Sequence, residues 1–292
     1  MPAETAQTPP RIQLPSTESI FGSTPAMREI REEIERAIED GLPVLVEGES
    51  GTGKQIIGQF LHENSDRRDG PFLKFNCAAM PASLLEAEMF GSGTGAAVSV
   101  AKAKGGSVGL ASGGTLFLDE IDDMDMSLQR KLARTLKSAQ YGPVAGRDDS
   151  AVKPRLVCAT SIDLDGELRS RTFVQELLDC FAHHRVRLVP LRDRKEDIPR
   201  LCEYLLEKFA HEFDRPVPHL SSGTLEAFQK WKWPGNVREL ENWIARIVIF
   251  GAEEVIGLEF SRQLATGLEP ALRYHRAAHM NIGRKRRLRR HR

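Results

Sequence analysis

Cysteine is scarce in this chain of 292 residues, and its four copies, Cys77, Cys158, Cys180 and Cys202, are far apart with no CxxC pair. That spacing excludes a disulfide framework and a cysteine-based zinc site, and three of the four sit in apolar runs where a buried free thiol is expected. Long apolar runs are missing too; none approaches the roughly 18 residues of a membrane span. The polar, proline-rich start from Met1 to Pro15 has no basic stretch followed by an apolar one, so no secretory signal is read. A cytoplasmic protein without membrane contact is the expectation. The eight histidines show no metal spacing, and the adjacent His183 and His184 would point about 100° apart on a helix.

Acidic residues are absent from the last stretch. Residues 271–292 hold nine Lys/Arg and no Asp or Glu, whereas the other 270 residues carry 32 basic against 41 acidic side chains. An acidic body with a basic tail suits a polyanionic partner, and the run 284–292 could meet DNA through its phosphates. A solvated terminus explains the same run, and only Tyr274 lies near it, so base stacking is not suggested.

What is present is a soluble globular composition, 40% hydrophobic and 28% charged, in a chain long enough for one large domain with a small one or tails. Order is expected from near Ile20, where Ser23-Thr24-Pro25 supplies a polar cap and a proline for the first turn of a helix through Asp40. Strands are read at 44–46, 72–75, 116–118, 156–159 and 186–189. Helices are read after the first strand and near 83–90, 127–139 and 173–184. Strands alternating with helices imply an α/β domain with a parallel sheet in αβα layers. After Pro190 only helical periods remain, at 196–213, 221–231 and 235–250, and Trp231 and Trp233 are read there as packing residues.

Between the first strand and its helix lies Gly48-Glu49-Ser50-Gly51-Thr52-Gly53-Lys54. Glycines let the backbone approach an anion closely, the following helix aims its N–H groups at it, and Lys54 adds a point charge for the outer phosphates. The generic motif wants Ser or Thr next, to hold magnesium; here the residue is Gln55. Asp119 and Glu120 end the run Leu116-Phe117-Leu118, so they emerge at the C-terminal sheet edge where α/β folds bind ligands. Asp119 suits a magnesium ion (Mg2+), and Glu120 suits the attacking water. The cofactors expected are ATP or ADP with Mg2+.

Six blocks in order, GESGTGK (48–54), DGPFLKFNCAAMP (69–81), LLEAEMFG (84–91), GGTLFLDEI (113–121), PLRDRKEDIP (190–199) and WPGNVREL (233–240), carry a family resemblance. From Ile20 to Gly251 the chain resembles the central AAA+ P-loop domain of bacterial enhancer-binding proteins, the activators of sigma-54 RNA polymerase. The division expected is a flexible lead-in (1–17), a nucleotide-binding domain (18–190), a small helical lid (191–258) and a basic tail (259–292). The resemblance also implies that Asn76 is the switch residue holding the catalytic Glu120. Thr160 would take the sensor position near the γ-phosphate, and Arg238 would be the second sensor, reaching from the lid. The family often has Glu where Gln55 stands.

Three departures accompany the resemblance. The family's GAFTGA loop, which touches sigma-54, aligns with Gly95-Ala96-Ala97-Val98-Ser99-Val100, where the phenyl ring and threonine hydroxyl are gone. This argues against contact with sigma-54 RNA polymerase. Two arginines that reach into the neighbouring subunit's site in the family are replaced by Val174 and Cys180. Arg171 could substitute if the helix extended backward, with Arg169 and Arg185 as poorer candidates. Third, no N-terminal sensor domain or C-terminal helix-turn-helix is read. The expectation is a nucleotide-binding transcriptional regulator that self-associates into a ring, such as a hexamer, with impaired hydrolysis and impaired sigma-54 contact. The alternatives are a working sigma-54-dependent ATPase, a non-catalytic subunit of a mixed ring with a paralogue, and a truncated gene product.

Overall fold

The computed structural model describes residues 14–91, 106–140 and 154–251. The loop 95–100 and the tail 284–292 lie outside the described residues. Five parallel strands, β1 (Val44–Glu47), β2 (Phe72–Asn76), β3 (Thr115–Asp119), β4 (Arg155–Thr160) and β5 (Arg185–Arg187), form one sheet in the order β2-β3-β4-β1-β5. Alternation along these strands sorts their side chains onto two faces. Leu45, Leu116, Leu118, Leu156 and Cys158 enter one core. There they meet Leu85 and Met89 of α4 (Ala82–Phe90) and Leu128 and Leu132 of α6 (Met126–Gln140). Val44, Val46, Phe117, Val157, Ala159 and Val186 enter the other, against Ile30 and Ile34 of α2 (Pro25–Asp40) and Ile57 and Leu61 of α3 (Lys54–Glu63). Burial on both faces is why β1, β3 and β4 read as near-continuous apolar runs. This is the αβα layering expected from the sequence.

A third core lies beyond Pro190. Leu201 and Leu205 of α9 (Ile198–Phe213), Phe228 of α10 (Ser222–Lys230), and Leu240, Ile244 and Ile247 of α11 (Asn236–Phe250) enclose the fully buried Trp233. Its indole N–H donates to the Phe228 carbonyl at 2.7 Å, and Trp231 donates to Glu239 at 3.0 Å. Both tryptophans therefore pack and are satisfied, as their amphipathic rings require.

Several local readings are corrected. The single helix expected at 173–184 is α8 (Gln175–Leu178) followed by a 3₁₀ turn at Asp179–Phe181. Its first turn is anchored from outside: the buried Val174 N–H donates to Gln129 Oε1 of α6 at 2.9 Å. The helix does not extend backward to Arg171. That residue closes a separate helix, α7 (Leu164–Ser170), in the left-handed conformation at φ 59°, with its N–H bonded to Glu167 and Leu168 carbonyls. The sequence reading missed α7, whose N-cap is Asp163, because seven residues holding Gly166 show little periodicity. It also missed the short helices α1 (Thr17–Phe21) and α5 (Gly106–Leu110).

All four cysteines are free and buried. His183 is exposed, and His184 is buried with its Nε2 3.0 Å from Asp40 Oδ2. Among the described residues no cluster of His, Cys, Asp or Glu could hold a metal by itself, and no helix is long and apolar enough to cross a membrane.

Candidate nucleotide site

The loop leaving β1 is shaped by its glycines. Gly48, Gly51 and Gly53 have φ of 155°, 80° and 106°. At Gly51 an added Cβ would come within 2.3 Å of the Gly235 carbonyl oxygen, so only glycine lets the loop pass beneath the lid. Thr52 Oγ1 ties the turn by donating to the Glu49 carbonyl at 2.8 Å. α3 then starts at Lys54 with no side-chain cap at Gly53, so its first N–H groups have no capping side chain, as an anion cradle requires. Lys54 is 6% exposed, and burial pushes its pKa down while Glu120 and Asp119 pull it back up. Its ammonium donates to Gly48 O at 2.8 Å, Glu49 O at 3.4 Å and Ser161 Oγ at 2.6 Å.

The acidic pair stands at the end of β3. Asp119 is in register with Asn76 and lies 3.5 Å from Lys74 Nζ, and Lys74 also donates to Gln55 Oε1. Glu120 adopts φ 50°, and both of its oxygens meet Ser161: Oε1 accepts from Oγ at 2.8 Å and Oε2 from the backbone N–H at 3.2 Å. Thr160 is fully buried and donates to Asp122 Oδ1 at 2.5 Å. The Asn76 Oδ1 accepts from the Ala78 N–H at 2.9 Å, capping the turn after β2.

The lid approaches from the opposite side. Arg238 donates through Nη1 to Ser50 Oγ at 3.1 Å and through its N–H to Gly51 O at 3.3 Å. Asn236, fully buried with φ 52°, joins three segments. Its Nδ2 donates to Glu49 Oε2 and Ser50 O, both at 3.1 Å, and its Oδ1 accepts from the Leu191 N–H at 2.8 Å. Arg192 grips Glu49 with two bonds of 2.8 and 2.6 Å. The Arg192 bonds first, then Asn236, hold the Glu49 carboxyl down to about 2.

A cavity of about 680 Å³ opens beside this loop, with Gly48, Glu49, Ser161, Arg187 and Arg192 among its walls. The uncapped start of α3, the buried ammonium and the open side of Gly53 fit a phosphate group. Asp119 fits a hard cation that keeps most of its ligands from phosphate and water.

Val174 and Cys180, at 4% and 5% exposure, belong to the core that includes Leu177 and Phe181. Arg169 in the last turn of α7 and Arg171 at its C-cap are both exposed.

The fold thus gathers residues 48–55, Asp119, Glu120, Thr160 and Arg238 around one point, with Asn76 on the neighbouring strand. Sequence reasoning missed Ser161, Lys74, Arg192 and Asn236. Ser161 carried a faint signal, as the first polar residue after the sensor position. Arg192 and Asn236 lie in the blocks at 190–199 and 233–240, but nothing there names their partner Glu49, which is 143 and 187 residues away.

Fold and site define the class as an AAA+ P-loop NTPase domain with a helical lid. The Sigma-54 interaction domain family matches residues 20–190, and the AAA+ ATPase lid domain family matches residues 192–271. The chain belongs to the family of sigma-54-dependent activators. It is 39% identical over 268 residues to a Nif-specific regulatory protein of Klebsiella pneumoniae, covering 88% of this chain and 51% of that protein. It is 39% identical over 240 residues to the DNA-binding transcriptional regulator NtrC of Azospirillum brasilense, covering 82% and 50%. Among solved structures it resembles NtrX of Brucella abortus in complex with ADP, with TM-score 0.69 and 30% identity, covering 80% of this chain and 52% of that one. The chain spans about half the length of the curated relatives it matches.

Proposed function

We propose that this chain binds ATP or ADP with Mg2+, assembles into a ring, and regulates transcription with weak hydrolysis of its own. One observation carries the reading: Val174 and Cys180 are buried in the core at positions where the resemblance expects trans-acting arginines. Lys54, Arg238 and the N–H groups from Gly51 to Lys54 would hold phosphates, Asp119 would hold the cation, and Glu120 would orient water. Bound nucleotide supplies the phosphoanhydride whose cleavage such a site catalyses. An arginine reaching such a site from outside can be worth about 10³–10⁵ in rate, and neither valine nor a buried thiol replaces that charge. The NtrX structures with ADP and with ATP support nucleotide binding.

A second reading rests on the same missing arginines. In a mixed ring, a complete paralogue would lend arginines to this subunit's site, while this subunit, with Val174 and Cys180 at those positions, would lend none to the next one and so silence it. The regulator reading is tested by ATP binding and steady-state phosphate release on one preparation over a wide protein range, with Lys54→Ala and Glu120→Gln as controls. Lys54-dependent binding with release no faster than the Glu120→Gln background supports it. Concentration-dependent release abolished by Glu120→Gln would return the chain to the working ATPases.

A further inference from the structure

A lysine stands where the site would place a metal ion. Lys74 rises from the edge strand β2, in register with Phe117 of β3. Its ammonium lies 3.5 Å from Asp119 Oδ2 and donates to Gln55 Oε1 at the start of α3. These are the two positions that the loop and strand pattern assign to the cation: the residue after Lys54 and the acid that ends β3. The three donors of Lys54 reach Gly48, Glu49 and Ser161, so it is the Lys74 ammonium that pairs with Asp119. With 34% of the lysine side chain and 18% of the aspartate exposed, solvent screens the pair only in part.

We propose that Lys74 is a built-in counter-cation for Asp119, one that lets the chain take a nucleoside diphosphate without a divalent ion and that Mg2+ must displace when it binds. The proposal rests on the nucleotide reading above and deepens it. A bare Asp119 would face the anionic phosphates and repel them, and an ammonium beside it offsets that charge. Mg2+ demands oxygen ligands at about 2.0–2.1 Å in a near-ideal octahedron, a shell that an ammonium paired with the same carboxylate obstructs. The flexible four-carbon stem of lysine, with its head at the surface, can swing aside to admit the metal. The two cations are therefore alternatives at one carboxylate, one supplied by the chain and the other by solution.

The test is ADP affinity by isothermal titration calorimetry, once in EDTA and once in saturating Mg2+, for wild type, Lys74→Met and Lys74→Arg. ADP keeps hydrolysis out of the measurement. Lys74→Met preserves the length of the side chain and removes its charge. It should weaken ADP binding about fivefold in EDTA, where Asp119 is left unpaired, and leave it unchanged or tighter in Mg2+. The gain in affinity conferred by Mg2+ therefore grows by at least the same factor. Lys74→Arg, which keeps the charge, should follow wild type. In an Asp119→Asn background the carboxylate is gone, and Lys74→Met should lose most of its effect in EDTA. A loss of equal size in EDTA and in Mg2+, as a packing defect would produce, overturns the proposal. So does no loss in EDTA, or a wild type that binds ADP only with Mg2+. Each of these outcomes leaves nucleotide binding intact, whereas absence of Lys54-dependent ADP binding under both conditions overturns that reading and the proposal together.

Discussion

Gly58 offers the sharpest test of how the core supports the loop. It lies in α3, where glycine is a poor choice; in an open helix, replacing it with alanine would gain about 1 kcal/mol. Here an added Cβ would sit 2.4 Å from both Cδ2 and Cε2 of Phe117. Carbon atoms settle about 3.5–4.0 Å apart, so the helix and ring must separate by more than 1 Å. Phe117 has nowhere to turn: it is fully buried on β3, with the Phe72 ring 6.0 Å away. Overpacking of this kind costs about 1–3 kcal/mol, and lifting α3 also loosens Ile57 and Leu61 beneath it. The upper part of that range outweighs the propensity gain, so Gly58→Ala should destabilise by about 1–2 kcal/mol.

Urea unfolding followed by far-UV circular dichroism reads this change. The three tryptophans, Trp231, Trp233 and Trp243, all lie in the helical lid, so fluorescence supplies a separate local probe. Combining Gly58→Ala with Phe117→Leu should cost at least about 1 kcal/mol less than the two single changes summed, because the smaller side chain makes room. A Gly58→Ala protein as stable as wild type, or strict additivity with Phe117→Leu, would refute the steric argument.

Other predictions follow from the same contacts. Asn236→Ala should destabilise the lid by about 2–3 kcal/mol, because the Leu191 N–H and Ser50 carbonyl lose a buried partner. Asn236→Gly should cost less, since glycine accepts φ 52°; equal effects on the tryptophan fluorescence midpoint would argue against backbone strain. Glu49 has a folded pKa below its unfolded value, so its contribution is present above about 4.5 and is lost as pH falls toward about 2. With Glu49 and Arg192 side chains 41% and 39% exposed, solvent keeps that contribution below about 1 kcal/mol. The stability gap between wild type and Glu49→Gln should close across that window; a gap that widened on acidification would contradict the assignment. Val174→Arg should unfold the core rather than restore a finger, costing about 3 kcal/mol or more for a buried unpaired charge, and a stable, faster-hydrolysing variant would contradict this. Burial raises the pKa of all four thiols, Cys77 and Cys202 to about 12. Ellman's reagent should therefore find none reactive in the folded protein at neutral pH and four after denaturation.

Much of the architecture was legible along the chain because its signals are local. Apolar runs at 44–46, 116–118 and 156–159 announce strands buried on both faces, and glycines 48, 51 and 53 announce a backbone that must wrap an anion. The acidic pair after Leu118 marks the end of a strand, and the end of a strand is where ligands bind. These features depend on neighbours a few residues away, so periodicity and residue type suffice to read them.

Tertiary structure decided what depends on partners far along the chain. Whether 173–184 is one helix turned on Gln129, a residue 45 positions away that takes the Val174 N–H. Whether Arg171 continues that segment turned on its left-handed closure of a different helix. Glu49 is a loop residue in the sequence, and in the fold it is the point where Arg192 and Asn236 fasten the lid. Ser161 became part of the site only when β4 was placed beside β3, within 3 Å of Glu120, the acid that follows it. Hydrogen bonds act over about 3 Å of space regardless of separation along the chain, so composition and spacing could name the loop and the acids but not the hydroxyl that joins them.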